Sequence, residues 1–261
     1  MTDTPQGSTH GLVPAELLAL VLATEQQVND APESAAGPAI PGFAAGDDVV
    51  GNDVRRAAAA LPSRPLATVL DERRSATDLH TGSGAGVIRD HELVALLARS
   101  YRVQDVHVDD SGGGGRWTHR PVPSAGARHP FELLVSVTGV DGLGAGRYVF
   151  DPHRVGLPRL AQAWTRYAVE VEDAAMRASH AKATAPATIV LIANAERVAE
   201  RYSAPLTLLM RDAGALLQTL HLVATDLGLA SRILGSAGHV AHDTHTGHLI
   251  TDCGALIVGA R

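Results

Sequence analysis

Residues 201–238 read RYSAPLTLLMRDAGALLQTLHLVATDLGLASRILGSAG, and the pattern of this stretch decides the fold of the chain. Its apolar residues recur at steps of three and four: Ala213, Leu216, Leu217, Leu220, Ala224 and Leu227. This spacing predicts an amphipathic helix. It also predicts which polar residues point away from the apolar stripe, namely Arg211, Gln218, His221 and Thr225.

The end of this stretch predicts a turn and a strand. Gly228 occupies the position of a left-handed helix cap, and residues 229–234 form a short apolar run that leads into the small residues 235–238. A helix, a tight turn and a strand that opens onto small residues would admit a flat ligand. A helix and a strand of an ordinary core would show the same pattern.

The composition excludes several classes of protein. The chain has 261 residues, of which 45% are hydrophobic and 19% charged, so it can form one large domain with a substantial core. A formal net charge of -6 argues against sequence-independent binding of nucleic acid or an anionic membrane. No apolar run approaches the ~20 residues of a membrane span. The first residues lack the basic start of a secretory signal, so we expect a cytoplasmic protein.

The chain divides into an N-terminal arm and a main domain. Residues 14–28 predict a helix, and residues 29–48 are a linker rich in proline, glycine and alanine. We therefore expect an arm and linker over residues 1–50 and a folded domain over residues 51–261. The arm could wrap a partner subunit or act as a mobile tether, and its sequence fits both.

Helices and strands are interleaved in the main domain. Helices are predicted at 53–61, 66–74, 90–100 (with Asp90 as the cap) and 157–177, and a surface loop at 109–115. Strands are predicted at 131–138, 147–151, 187–193 and 255–258, the first two as a hairpin and the third covered on both faces. This arrangement predicts an α+β fold with a central sheet flanked by helices.

Two segments are candidate ligand-binding elements. Arg73, Arg74 and Ser75 offer two guanidinium groups and a hydroxyl, which suits a phosphate, although basic residues at helix ends also commonly lie in solvent. The segment from Pro123 through Ser124 and Ala125 to Gly126 combines small side chains with a restricted backbone. A planar ring could lie against it, and a tight loop before a strand would look the same.

Tyr202 is the candidate acid/base group. A neighbouring cation stabilises a phenolate, and Arg201 stands next to Tyr202 in the sequence. An exposed pair of residues before a helix is the alternative interpretation. His239, His242, His245 and His248 recur at every third residue, but the glycines at 238 and 247 indicate a mobile loop, so no metal site is predicted. Cys253 is the only cysteine and excludes an intrachain disulfide.

The order of these motifs resembles the flavin-dependent nitroreductase superfamily over residues 64–261, and most closely its SagB-type branch. That branch contains the azoline dehydrogenases of thiazole/oxazole-modified peptide pathways. The motifs are Arg73-Arg74-Ser75, Pro123-Ser124-Ala125-Gly126 with His129-Pro130, Gly146-Arg147-Tyr148, Arg201-Tyr202, Asp212-Ala213-Gly214 with Gln218, Leu227-Gly228-Leu229, and Gly235.

The resemblance implies an intertwined homodimer with FMN at the subunit interface. It implies that Arg73, Arg74 and Ser75 hold the FMN phosphate. It places the flavin against residues 123–126, with Gln218, Gly235 and Ser236 near the ring, and Arg201 and Tyr202 as the catalytic pair. This chain has Arg201 where the family pair has lysine, and Thr77 where relatives often have a basic residue. Phosphate contacts that relatives draw from later residues would come from Arg261 or be absent.

Three functions are compatible with this resemblance. The first is an FMN-dependent dehydrogenase that oxidises thiazoline or oxazoline rings of a ribosomally made peptide to azoles, with a cyclodehydratase as a possible partner. The second is an NAD(P)H-dependent nitro- or quinone reductase. The third is a flavin-free scaffold subunit of a peptide-modifying complex.

Overall fold

A computed structural model describes residues 40, 42–76, 79, 87–108, 116–179, 185–235, 240–242 and 249–261. The strands are β1 (Ala44–Asp48), β2 (Ile88–Arg89), β3 (Asp105–Val108), β4 (Arg116–His119), β5 (Phe131–Val137), β6 (Val140–Asp141), β7 (Gly146–Val149), β8 (Pro158–Leu160), β9 (Ala187–Asn194), β10 (Ala230–Leu234), β11 (Val240–His242) and β12 (Leu249–Gly259). The helices are α1 (Asn52–Ala60), α2 (Leu66–Glu72), α3 (Asp90–Tyr101), α4 (Thr165–Ser179), α5 (Glu196–Ala199) and α6 (Pro205–Asp226).

Eight strands form the central sheet. Their order is β1-β8-β7-β5-β9-β12-β10, and β11 also pairs with β12. Neighbouring strands in this sheet are antiparallel. Two short pairs lie outside it: β2 with β6, which is parallel, and β3 with β4.

Both faces of the sheet are covered. Alternate residues of β9 enter two different core clusters: Ile189 and Leu191 face the cluster that includes α3 and α6, whereas Val190 and Ile192 face the cluster that includes α4. A strand places successive side chains on opposite faces, so a continuous apolar run is what a doubly covered strand requires. The predicted α+β fold and the buried strand at 187–193 are confirmed.

The predicted helix at 157–177 is wrong in its first part. Residues 158–160 form β8, which pairs with β1, and a 3₁₀ turn at Gln162–Trp164 precedes α4. The partner strand of β8 lies more than a hundred residues earlier in the chain, and a local periodicity carries no information about such a pairing. Asp90, predicted as a helix cap, is the first helical residue, and Arg89 holds the cap position.

The predicted exposure of His221 and Thr225 is also wrong. Both belong to α6 and each is only 2% exposed. They lie on the side of α6 against which α2 and β10 pack. The same side is open towards the N-terminal half of the helix, where Arg211, Gly214 and Gln218 are exposed. The predicted arm helix at 14–28 and the loop at 109–115 lie outside the described residues. None of the helices that the structure describes is long and apolar enough to cross a membrane.

Candidate active site

The Pro-Ser-Ala-Gly segment is fixed to α6 by a carboxylate. Asp212, 9% exposed, accepts hydrogen bonds at Oδ2 from Ser124 Oγ at 2.6 Å and from the Ala125 N–H at 2.9 Å. Ser124 Oγ in turn accepts from the His129 N–H at 2.9 Å. These bonds hold the loop in one conformation. Asp212 was part of the quoted motif series, but its role as an anchor could not be read from the sequence.

The hydroxyl of Tyr202 lies against this same segment. Gly126 has a φ of +57°, and a Cβ built on it would lie 2.6 Å from Tyr202 Oη. Glycine is therefore needed twice at this position, once for the left-handed backbone and once for the close approach of the phenol. The structure thus brings together two sequence-predicted site elements that are far apart in the chain. Arg201, the other half of the pair, is exposed.

Arg73 reaches α6 at a different place. Its Nη1 lies 3.1 Å from His221 Nε2, and His221 Nδ1 lies 2.7 Å from Ser231 Oγ. Burial lowers the pKa of His221, and the adjacent charge of Arg73 lowers it further. A neutral ring with its proton on Nδ1 satisfies both contacts, because Nε2 then accepts from the guanidinium. His221 therefore orients Arg73.

Other predicted phosphate ligands gather at the same end of α2. Arg74 is exposed and donates to the carbonyls of Asp71 and Arg73, at 2.8 Å and 2.7 Å, and Ser75 is also exposed. Arg261 Nη1 lies 3.9 Å from the carboxylate of Glu72, the last residue of α2. Arg73, Arg74 and Arg261 therefore lie near the C-terminal end of α2, where their guanidinium groups could bind a phosphate.

The contacts of Ser124 and Arg73 lie on opposite sides of α6. Asp212 and His221 are nine residues apart, which corresponds to about two and a half helical turns and roughly 14 Å along the axis. The exposed Gln218 lies on the side of His221. Gly235 is exposed and has nothing within 4 Å of a Cβ position, which leaves open space beside β10. Ser236 lies outside the described residues.

The sequence pattern did not predict the buried polar cluster that lies behind the Pro-Ser-Ala-Gly segment. His129 is 3% exposed, and its Nε2 donates to the Thr118 carbonyl at 3.0 Å. Burial lowers the pKa of His129 to about 3, with a further contribution from Arg120, so the ring is neutral. The Arg120 guanidinium stacks on the Tyr101 ring, 4.3 Å from its centroid. The His129-Pro130 motif was a sequence signal, but a histidine in a motif does not reveal that it is buried.

Metal ligands do not gather in the described part of the chain. No group of three or more His, Cys, Asp or Glu suited to a metal ion occurs there. Of the four predicted loop histidines, His239, His245 and His248 lie outside the described residues. Cys253 is buried, and burial raises the pKa of its thiol, so it remains protonated.

Comparison with known proteins identifies the family. The model of the nitroreductase family matches residues 88–246, more than half of the chain. The chain belongs to the nitroreductase family. A relative of this chain is MJ1384 of Methanocaldococcus jannaschii, provisionally named a nitroreductase. It is 31% identical over 146 residues, which cover 56% of this chain and 67% of the relative.

Two solved structures share the fold. A provisionally named nitroreductase from Ralstonia eutropha JMP134 has a TM-score of 0.54 at 19% identity, covering 88% of this chain and 93% of its own. The E. coli microcin synthetase McbBCD complex with truncated pro-MccB17 bound contains a chain with a TM-score of 0.53 at 17% identity, covering 95% of this chain and 94% of its own length.

Family membership supports FMN as the cofactor and an oxidoreductase as the class of activity. The residues fit such a group. The guanidinium groups at the end of α2 suit a phosphate, and the exposed backbone at Gly126 and Gly235 suits a flat ring. The local structure therefore offers both kinds of contact that FMN needs, on opposite sides of α6.

Proposed function

We propose that this member of the nitroreductase family is an FMN-dependent azoline dehydrogenase, which oxidises thiazoline or oxazoline rings of a ribosomally made peptide to azoles. One observation carries the proposal: the Tyr202 hydroxyl lies against Gly126, in a segment held by Asp212. A proton-transfer group is thus placed beside the backbone against which a flat ring would lie. The roles of Tyr202, Arg201 and the cofactor ligands remain proposals.

The proposed active unit is a homodimer. A helix is about 10 Å across, so one FMN cannot contact Arg73 and the Pro-Ser-Ala-Gly segment of the same chain across α6. A second chain that packs on the open side of α6 could bring its own segment to the Arg73 side of the first. Large apolar side chains are available for such packing, since Leu66 is 65%, Leu70 52% and Met210 44% exposed.

The reaction removes a hydride and a proton from the azoline ring. FMN, when bound, supplies the two-electron chemistry by accepting the hydride. Tyr202 assists the removal of the proton from the ring carbon as a phenolate, and the charge of Arg201 stabilises that phenolate until it takes up the proton. Arginine cannot itself take up a proton, so Arg201 acts by its charge alone. Dioxygen is the proposed final acceptor of the two electrons.

A peptide substrate and a partner enzyme are supported by one structural neighbour. The McbBCD chain with this fold belongs to a synthetase complex with truncated pro-MccB17 bound. We extend this arrangement to the present chain as a proposal, with a cyclodehydratase as the partner that would supply the azoline rings.

Substitution of Tyr202 by phenylalanine tests the proposal. We expect Tyr202→Phe to bind FMN as the wild type does and to lose azole formation, measured by mass spectrometry as the loss of two hydrogens per ring. Tyr148→Phe is a matched control, because its hydroxyl donates to the Gly144 carbonyl at 2.7 Å on the hairpin of β5 and β7. Full activity of Tyr202→Phe would refute the assigned role. A purified protein that is colourless and takes up no added FMN would refute the flavoenzyme itself.

A general NAD(P)H-dependent reductase is the second candidate. It is favoured by the provisional nitroreductase name of the 31% identical relative. Reduction of the flavin by NADPH in the absence of peptide would support it, and a flavin that NADPH leaves oxidised would exclude it.

A further inference from the structure

A cleft between α1 and α3 is lined by arginines. Its volume is about 580 Å³, and its walls include Ala58 and Ala59 of α1 and Ala95 and Ala98 of α3. Four guanidinium groups line it, from Arg55, Arg99, Arg102 and Arg154. None of the described residues that line the cleft is acidic. The cleft is thus positively charged, with small side chains that let another segment approach closely.

Two of these arginines already have partners. Arg55 pairs with Asp48, and Arg99 pairs with Asp226 at 2.9 Å. Arg102 donates to a carbonyl of its own helix at 3.4 Å, and Arg154 is exposed. No carboxylate of a described residue pairs with Arg102 or Arg154. Arg102 and Arg154 are therefore available to bind an acidic ligand.

The N-terminal segment of the same chain has the complementary charge. Residues 1–39 contain no lysine or arginine, and their acidic residues are Asp3, Glu16, Glu25, Asp30 and Glu33. They therefore account for most of the formal net charge of -6. The segment also contains an apolar group at 17, 18, 20 and 21 that could pack on the alanine walls.

The segment joins the domain at the edge strand β1, and the far end of this strand lies beside the cleft. Ile40 is buried and its N–H donates to Glu132 at 3.4 Å, and β1 then leads to Asp48, the partner of Arg55. Eight residues of chain, at most about 29 Å, separate Ile40 from Asp48, and residues 29–39 can span up to about 36 Å when extended, so residues 14–28 can reach the cleft. We propose that the acidic N-terminal segment, residues 1–39, docks in the arginine cleft of its own chain.

Limited proteolysis of the full-length protein tests the docking. An endoproteinase that cleaves after glutamate can cut the segment at Glu25 and Glu33, and mass spectrometry resolves each product. Exposed ion pairs are weak individually, so Arg102→Gln with Arg154→Gln should speed cleavage at Glu33 by about three- to tenfold. Arg166→Gln is the matched control, because this arginine on α4 has a 92% exposed side chain and should leave the rate unchanged.

A combined variant separates docking from a general effect of charge. Glu16→Gln with Glu25→Gln should also speed cleavage at Glu33. Adding these two substitutions to the arginine pair should produce no further increase if the charges meet each other. An unchanged rate in the arginine variant, or rates that multiply in the combined variant, would overturn the proposal.

Mixing two isotopically distinct proteins identifies which chain receives the segment. Heavy wild-type chains are mixed with light chains that carry the arginine substitutions. Docking within one chain predicts that only the light chains lose protection. If the heavy chains lose protection as the light chains are added, the segment docks on a partner copy and the assignment to its own chain is wrong.

Discussion

The contact between Gly126 and Tyr202 predicts a measurable coupling. An alanine at Gly126 must adopt a φ near +57°, which costs roughly 1–2 kcal/mol for an L-residue. Its Cβ would also lie 2.6 Å from Tyr202 Oη, a contact that must be relieved at a further cost of about 1–3 kcal/mol. We therefore expect Gly126→Ala to lower the free energy of unfolding by about 2–5 kcal/mol.

Two variants separate the backbone cost from the contact. Gly42 has a φ of +72° and nothing within 4 Å of its Cβ position, so Gly42→Ala reports the backbone cost alone. In a Tyr202→Phe background the nearest atoms to the new Cβ would be Cζ at 3.5 Å and Cε2 at 3.6 Å, which is ordinary contact. Gly126→Ala should then cost no more than Gly42→Ala, which gives a coupling of roughly 1–3 kcal/mol, the cost of the contact alone.

Urea unfolding at a fixed concentration of protein and FMN measures each free energy. Azoline oxidation is assayed on the same samples, and Gly126→Ala should lose activity because the hydroxyl is displaced. Gly142→Ala controls for strain, because its Cβ would meet Asp90 rather than Tyr202. If the losses in free energy of unfolding caused by Gly126→Ala and by Tyr202→Phe add within about 0.5 kcal/mol in the double variant, the close contact between the Tyr202 hydroxyl and Gly126 is refuted.

Three further predictions concern Asp212, Arg73 and His129. Asp212→Asn can keep both accepted hydrogen bonds on its amide oxygen but loses the negative charge that strengthens them, and should destabilise the protein by about 1–3 kcal/mol in urea unfolding; an unchanged midpoint would contradict an anchoring role. Arg73→Ala should weaken FMN binding by about 10–100-fold in a fluorescence titration, and Arg74→Ala, whose guanidinium turns back to the backbone, should weaken it less. The pKa of His129 is about 3 in the folded protein against 6.5 normally, so its contribution to stability is complete above pH 6.5 and falls by roughly 2 kcal/mol at pH 5. The free energy of unfolding should therefore differ less between pH 7.5 and pH 5 in His129→Gln than in the wild type, by this same amount. An equal difference in the two proteins would contradict a buried neutral ring.

Elements whose pattern reflects their own burial were predictable. The run at 187–193 is apolar at every position because both faces of β9 are covered. The stripe at 213, 216, 217, 220 and 224 lies in the core because the period of the helix matches it. In both, the local sequence contains the cause of the structure.

Features that depend on distant partners were not predictable. Residues 158–160 became a strand because β1 pairs with them, and His221 became buried because α2 packs across the C-terminal half of α6. Two of the segments named by the motif order, those of Tyr202 and Gly126, meet in the structure. The sequence could not show that Asp212 fixes the loop. Its hydrogen bonds to Ser124 and Ala125, at 2.6 Å and 2.9 Å, join segments that are far apart in the chain.

The placement of Asp212 and His221 on opposite sides of one helix would affect how defective alleles combine. In the proposed dimer, a chain without the Tyr202 hydroxyl and a chain without the Arg73 guanidinium are each inactive with themselves. When the two chains form a mixed dimer, one of its two FMN sites (crevices) lacks both groups, and the other has both. Random pairing makes roughly half of the dimers mixed, so two inactive parents would together recover about a quarter of the wild-type number of intact crevices.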